Sequence, residues 1–195
     1  AAAAALADTG LMAELDGDIA ILATPAEEFI EIEYRDQLIE SGKVDFVCGK
    51  AQMIKDGVFD DIDASIMQHT AICNDDYVAG ATSNNNGFVG KLIKYTGKPA
   101  HAGAAPWDGI NALNAAMIGL MAINMQRETF RDEDHIRIHP ILTKGGDIVN
   151  TVPADVRIES YVRGSNPRAI LEASEKMDRS LQAGADAIGA KVDIK

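Results

Sequence analysis

The period of hydrophobic and polar positions from residue 88 onward predicts a regular series of strands and helices. Residues 88–96, 135–144 and 155–163 alternate between apolar and polar, as half-buried strands do, and another strand begins at residue 191. Residues 108–127 and 167–188 repeat their apolar positions with the period of a helix. The order is β-α-β-β-α-β, which predicts a ferredoxin-like α+β domain over residues 84–195.

The first part of the chain has a different pattern. Residues 19–23 and 64–69 are short apolar runs, which favour strands buried on both faces of a parallel sheet. Helical patterns at 35–41 and 48–56 lie between them. We therefore predict a partial α/β domain over residues 1–83, and an α/β plus α+β fold class for the chain.

Composition and charge narrow the class of partner. The 195 residues carry 18 basic and 30 acidic side chains, a formal charge of −12. This argues against nucleic acid and anionic membranes, because both attract basic surfaces. No apolar run approaches the roughly 20 residues that cross a bilayer. Two cysteines cannot make a disulfide framework, so we expect a protein of the reducing cytoplasm.

Three side chains with catalytic chemistry follow the two apolar runs. Glu27 and Glu28 come directly after the first run, and His69 ends the second. Ligand sites of open α/β sheets lie at such strand ends, where one carboxylate could bind a metal and its neighbour accept a proton. The alternatives are that the two glutamates begin a helix, where acids are stabilising, and that the histidine is a surface residue.

Three further candidates lie in or beside the second domain. His101 follows the strand 88–96 in a segment of small residues. Asn150 follows paired glycines, and Arg163 ends a strand, so they could hold a substrate's carbonyl and carboxylate. A loop histidine, a long hairpin connection and an edge arginine are the alternative interpretations.

The order of these motifs resembles the M20 family of metallopeptidases and amidohydrolases, in particular its branch of aminoacylases and aminobenzoyl-glutamate hydrolases. Residues 24–28 (TPAEE) resemble that family's PAEE motif, and residues 97–102 (GKPAHA) resemble its GKxAHA segment. Residues 145–153 (GGDIVNTVP) are similar to its GG…NxxP motif, and Arg163 stands where the family has a substrate arginine. The motifs cover nearly the whole chain.

The resemblance implies a role for each candidate. Glu27 would be the general base, and Glu28 and His69 would be ligands of a site for two divalent ions (zinc, manganese, cobalt or nickel). His101 would reach the partner subunit's active site and polarise the scissile carbonyl. The implied activity is hydrolysis of an amide bond in N-acyl amino acids or small peptides. Asn150 and Arg163 would hold that substrate.

The resemblance also implies a longer protein, because M20 members have further ligand segments before PAEE and near the C-terminus. We therefore expect this chain to be a fragment with the lid and dimerisation domain, and to be inactive alone. We expect a homodimer joined through an edge strand, namely the strand from Phe88, and the first helix of the lid. The alternatives are a non-catalytic dimerisation module and a small-molecule binding module.

Overall fold

The computed structural model of the chain describes residues 2–28, 31–67 and 85–195. The chain divides into two compact units, Ala1–His69 and Thr70–Lys195. The predicted domain boundary at 83/84 lies outside the described residues. No helix in the described part is both long and apolar enough to cross a membrane.

The first unit consists of three short helices and connecting segments. The helices are α1 (Ala2–Asp8), α2 (Ile32–Glu40) and α3 (Gly49–Lys55), and a 3-10 turn covers Leu11–Glu14. The predicted helices at 35–41 and 48–56 are confirmed by α2 and α3.

The two strands predicted in the first unit are wrong as far as they are described. Residues 19–23 and 64–67 pair with no strand, and Ile21 and Ile66 are 78% and 95% exposed. The rest of the second run, with His69, lies outside the described residues. A parallel strand forms only where neighbouring strands complete its hydrogen bonds, and the described part of this unit contains none.

The second unit has the predicted order of elements. These are β1 (Gly87–Thr96), α4 (Ala112–Met125), β2 (Arg137–Lys144), β3 (Asp155–Gly164), α5 (Pro167–Ile188) and β4 (Lys191–Ile194). The strands form one antiparallel sheet in the order β2-β3-β1-β4. Asparagine side chains cap both helices: Asn111 accepts from two backbone N–H groups and Asn166 accepts from one.

Both helices of the second unit pack on one face of the sheet. Alternate residues of β3, beginning with Val156, are buried on that face, and the residues between them are half-buried on the other. Two glycines bring α4 and α5 close together, because a Cβ on Gly184 would overlap the Ala115 carbonyl oxygen and the backbone of Gly119. At the same place the buried Tyr95 hydroxyl donates to the Leu181 carbonyl over 2.8 Å. Burial raises the pKa of Tyr95 far above its usual value.

Two expectations about the surface of this unit are wrong. The methionine positions 117, 121 and 125 of α4 fit a core stripe, yet these side chains are 53%, 55% and 73% exposed. The inner face of α4 instead carries alanines and Gly119, because α5 approaches too closely for larger side chains. The strand from Phe88 is β1, which lies between β3 and β4, so the edge strands are β2 and β4.

Candidate active-site segments

The segment with Glu27 and Glu28 is an irregular turn. Helix α2 begins only at Ile32, so the two glutamates do not lie in a first helical turn. Ala26 has a positive φ of 50°, which is uncommon for a residue with a side chain. The turn packs on the start of α3, where a Cβ on Gly49 would overlap the Pro25 carbonyl oxygen.

Two basic side chains fix this turn. Arg35 is 8% exposed and donates hydrogen bonds to the carbonyl oxygens of Glu28 and Val47. Lys50 pairs with Glu27 at 2.8 Å, and that hydrogen bond is the main reason why the pKa of Lys50 is raised. The sequence analysis missed both residues. Arg35 lies three positions after the buried Ile32, so their shared helical face was the available signal.

The described residues do not by themselves fit a metal centre. Of the two predicted ligands, Glu28 is described and His69 is not. Within residues 2–28, 31–67 and 85–195, no three His, Cys, Asp or Glu side chains converge where an ion could be held. A structural or catalytic zinc ion takes at least three protein ligands.

The segment with His101 continues the pairing of β1 with β3. Gly97 N–H donates to the Ala154 carbonyl (2.8 Å), and Val152 N–H donates to the Ala100 carbonyl (2.9 Å). A Cβ on Gly97 would overlap the carbonyl oxygen of Ile110, whose chain pairs with this segment on its other side. The first glycine of the GKPAHA segment is thus required by close packing of two backbones.

Backbone hydrogen bonds determine which nitrogen of His101 is protonated. Nδ1 accepts from the N–H groups of Gly103 (3.2 Å) and Ala104 (3.1 Å). A nitrogen that accepts hydrogen bonds carries no proton, so the neutral imidazole has its hydrogen on Nε2. The exposed His101 therefore presents Nε2–H as a hydrogen-bond donor.

The structure brings Asn150 to the same place as His101. Ala102 N–H donates to the Asn150 carbonyl over 2.8 Å, and His101 pairs with Thr151. The glycine pair before Asn150 was predicted to adopt unusual backbone angles, and Gly146 does so with a φ of 137°. His101 and Asn150 thus lie on adjacent chains at one end of the sheet.

Arg163 lies at the other end of the sheet. It is opposite Phe88 near the start of β1, whereas the His101 segment follows Thr96 at the end of that strand. The eight residues from Phe88 to Thr96 span about 26 Å. One chain therefore does not bring Arg163 together with His101 and Asn150.

These features agree with the family of the chain. Residues 84–188, more than half of the chain, match the family model for the M20 peptidase dimerisation domain. The chain belongs to this family, whose members include the hydrolases described next.

Two curated relatives and one solved structure are similar to the chain. The mouse (Mus musculus) Xaa-Arg dipeptidase is 28% identical over 91% of this chain and 36% of its own. A homolog of a p-aminobenzoyl-glutamate hydrolase chain, from Haemophilus influenzae, is 30% identical over 78% of this chain and 32% of its own. The aminobenzoyl-glutamate utilization protein of Klebsiella pneumoniae shares the fold, with a TM-score of 0.56 and 20% identity, over 76% of this chain and 37% of its own. The chain spans about a third of the length of these curated relatives.

Proposed function

We propose that the chain is part of a metal-dependent M20 amidohydrolase of the cytoplasm that hydrolyses N-acyl amino acids or small peptides. Residues 84–195 would be its ferredoxin-like lid and dimerisation domain. Family membership and the order of the four motifs support this proposal. In the whole protein Glu28 and His69 would be ligands of the divalent ions, with further ligands from outside the described residues.

The observation that carries the proposal is the separation of the substrate-binding candidates. His101 and Asn150 lie at one end of the sheet and Arg163 at the other, with about 26 Å of strand between them. A site of small-substrate size cannot use all three from one chain. We infer that each active site combines Arg163 of one protomer with His101 of the other.

The side-chain chemistry fits acyl transfer to water. Glu27 would accept the proton of the attacking water. His101 would donate its Nε2–H to the oxygen of the scissile carbonyl as negative charge develops there. The two backbone hydrogen bonds to Nδ1 hold the imidazole in the tautomer that this role requires. The Asn150 amide and the Arg163 guanidinium would orient the substrate.

The dimer surface that we propose combines the edge strand β2 with the outer face of α4. Helix α4 contacts β1 and β3, whereas α5 also contacts β4, so α4 lies toward the β2 side of the sheet. Met117, Met121 and Met125 expose an apolar stripe on α4, and Ile141 and Leu142 of β2 are 61% and 47% exposed. An edge strand beside apolar side chains favours a second copy, which would extend the sheet across a two-fold axis.

Mixing of variant protomers in the whole protein tests the shared site. His101→Ala and Glu27→Gln variants should each be inactive as homodimers. A mixed dimer has one site with both residues intact, so mixing should restore up to about half of the activity per mixed dimer. If mixed dimers form and no activity returns, the site is not shared in this way.

Light scattering tests the dimer surface with this chain alone. We expect twice the 20.8 kDa of one chain, and a monomer for Met121→Lys. Leu171→Lys is the matched control, because Leu171 is equally exposed (57%) on α5, away from β2. A monomeric wild-type chain at high micromolar concentration, or equal effects of both variants, would contradict the surface.

The non-catalytic alternative is supported by the lack of a three-ligand group in the described residues. Both hypotheses predict that the 195-residue chain alone turns over no N-acetyl amino acid in excess Zn²⁺ or Mn²⁺. The whole protein separates them, because only an amidohydrolase loses turnover on Glu27→Gln. Metal-dependent turnover by the short chain would show that the site assembles within it.

A further inference from the structure

The face of the sheet opposite the helices carries two neighbouring arginines. In the register of the sheet, Arg163 of β3 is directly opposite Arg137 of β2 on one side and Phe88 of β1 on the other. Directly opposite residues have Cβ atoms about 4.5–5.5 Å apart and point to the same face. The two guanidinium groups therefore belong to one surface.

Neither arginine is neutralised within the part of the chain that the structure describes. Arg163 lies over the rings of Phe88 and Tyr161, and Arg137 donates to the carbonyl of its own neighbour Ile136. No carboxylate forms an ion pair with either of them among these residues.

The other end of the same strand shows the ordinary arrangement. Arg157 of β3 pairs with Asp155 at 3.3 Å, and Lys144 of β2 pairs with Asp155 and Asp147 at 2.9 Å each. Like charges directly opposite on two strands are destabilising. A chain with 12 excess negative charges has many carboxylates to place beside its cations, yet it leaves this pair without one.

Aromatic side chains hold one of the two guanidinium groups in place. The centre of the Arg163 guanidinium lies 5.1 Å from the Phe88 ring centroid and 5.4 Å from that of Tyr161. The ring of His139 meets Tyr161 edge-on at 5.6 Å. A guanidinium with its face on a ring keeps its N–H donors at its edge, where they suit a carboxylate.

We propose that Arg137 and Arg163 together bind a ligand with two carboxylates on a short carbon chain. Arg163 would bind the first carboxylate, and Arg137 would bind the second and thereby select an acidic side chain. The identification of this ligand as the amino-acid part of the substrate rests on the proposed function. The substrate class is then an N-acyl derivative of an acidic amino acid, rather than of a neutral or basic one.

Calorimetry on the 195-residue chain tests the pair without requiring turnover. The probes are N-acetyl-glutamate, N-acetyl-glutamine, which has one carboxylate fewer, and N-acetyl-arginine. We expect N-acetyl-glutamate to bind about tenfold more tightly than N-acetyl-glutamine and N-acetyl-arginine to bind least. No saturable binding of N-acetyl-glutamate up to about 20 mM, or equal binding of the three probes, would overturn the proposal.

Three variants assign the two carboxylates. Arg137→Gln should bring N-acetyl-glutamate to within about twofold of N-acetyl-glutamine, and Arg163→Gln should weaken both. Arg168→Gln is the matched control, because it removes the same charge from an 81% exposed side chain on α5 and should leave the preference unchanged. An unchanged preference in Arg137→Gln would overturn the role of this residue.

The outcomes also separate this inference from the proposed function. If the chain selects the dicarboxylate but the whole protein hydrolyses no N-acyl amino acid, the anion site stands and the amidohydrolase proposal fails. If the whole protein hydrolyses N-acyl amino acids without favouring acidic ones, and Arg137→Gln changes nothing, the amidohydrolase proposal stands and this inference fails.

Discussion

The two units of the chain bury their apolar side chains to very different extents. In the second unit, α4, α5 and the sheet share one core, whose fully buried side chains include Tyr95, Ile158, Met177 and Leu181. Among the described residues of the first unit, Ile32 is the only buried hydrophobic side chain. Arg35, Gly49 and several polar contacts provide the rest of its packing.

The difference shows how far each pattern depends on distant partners. An alternating strand and an amphipathic helix each have one apolar face, so a few such elements can complete a core. A strand that is apolar on both faces needs a layer on each side and neighbours on both edges. The second unit contains all of its partners, whereas the apolar segments of the first unit are exposed at Ile19, Ile21 and Leu22.

The largest expected effect is on independent folding. Expressed separately, residues 84–195 should unfold in one cooperative transition, since this span holds the whole four-stranded sheet and both helices. Residues 1–69 should show no cooperative transition, because one buried hydrophobic side chain cannot offset the entropy of ordering the chain. Circular dichroism during urea titration measures both. A sigmoidal transition in residues 1–69 would contradict the comparison.

Matched leucine truncations compare the two units within the whole chain. Leu181→Ala removes a side chain with no exposed surface and should lower the free energy of unfolding by about 2–5 kcal/mol. Leu15→Ala truncates a side chain that is 49% exposed and should change that free energy by about 0.5 kcal/mol or less. Urea denaturation followed by tryptophan fluorescence provides both values. Similar losses in the two variants would mean that the first unit has a core of its own.

Matched glycine substitutions test the close contact of α4 and α5. Gly184→Ala places a methyl group against the backbone of α4 and should destabilise by about 1–3 kcal/mol, although alanine favours a helix. Gly17→Ala is the control, because no atom lies within 4 Å of the added Cβ. Thermal unfolding measures the difference. A Gly184→Ala variant as stable as the wild type would show that the helices can separate without cost.

The smallest expected effect comes from a polar network of the second unit. Lys144 donates a hydrogen bond to Asp155 and is the main cause of the lowered pKa of that carboxyl group, with Arg157 adding to it. A lowered pKa stabilises the fold above the usual aspartate value of about 4, and the contribution is lost as the pH falls below it. Asp155→Asn should cost less than about 1 kcal/mol at pH 7, because the pair is partly exposed.

The pH dependence separates this ion pair from a packing effect. The deficit of Asp155→Asn should disappear near about pH 2.5, where the wild-type carboxyl group is protonated as well. Urea denaturation at both pH values and low salt is the measurement, with Asp16→Asn as a charge-matched control. An equal deficit at both pH values would indicate lost packing instead.

The secondary structure of the second unit was predictable because its signals are local. The pattern predicted α5 and β4 with their observed bounds, and β1 to within one residue. In the candidate site, the short motifs correctly indicated a shared location for His101 and Asn150, which adjacent chains bring together. The separation of Arg163 from them depends on the antiparallel register of β1 and β3, which no single segment specifies.

The sequence alone determined the order of the elements in residues 84–195, the motifs and the family. Periodicity and short motifs report which side chains one segment needs to bury or present. Only the tertiary structure decided that β1 lies inside the sheet, that the methionines of α4 are exposed and that Arg137 stands beside Arg163. These features depend on strand order, helix spacing and register, which result from contacts between segments far apart in the chain.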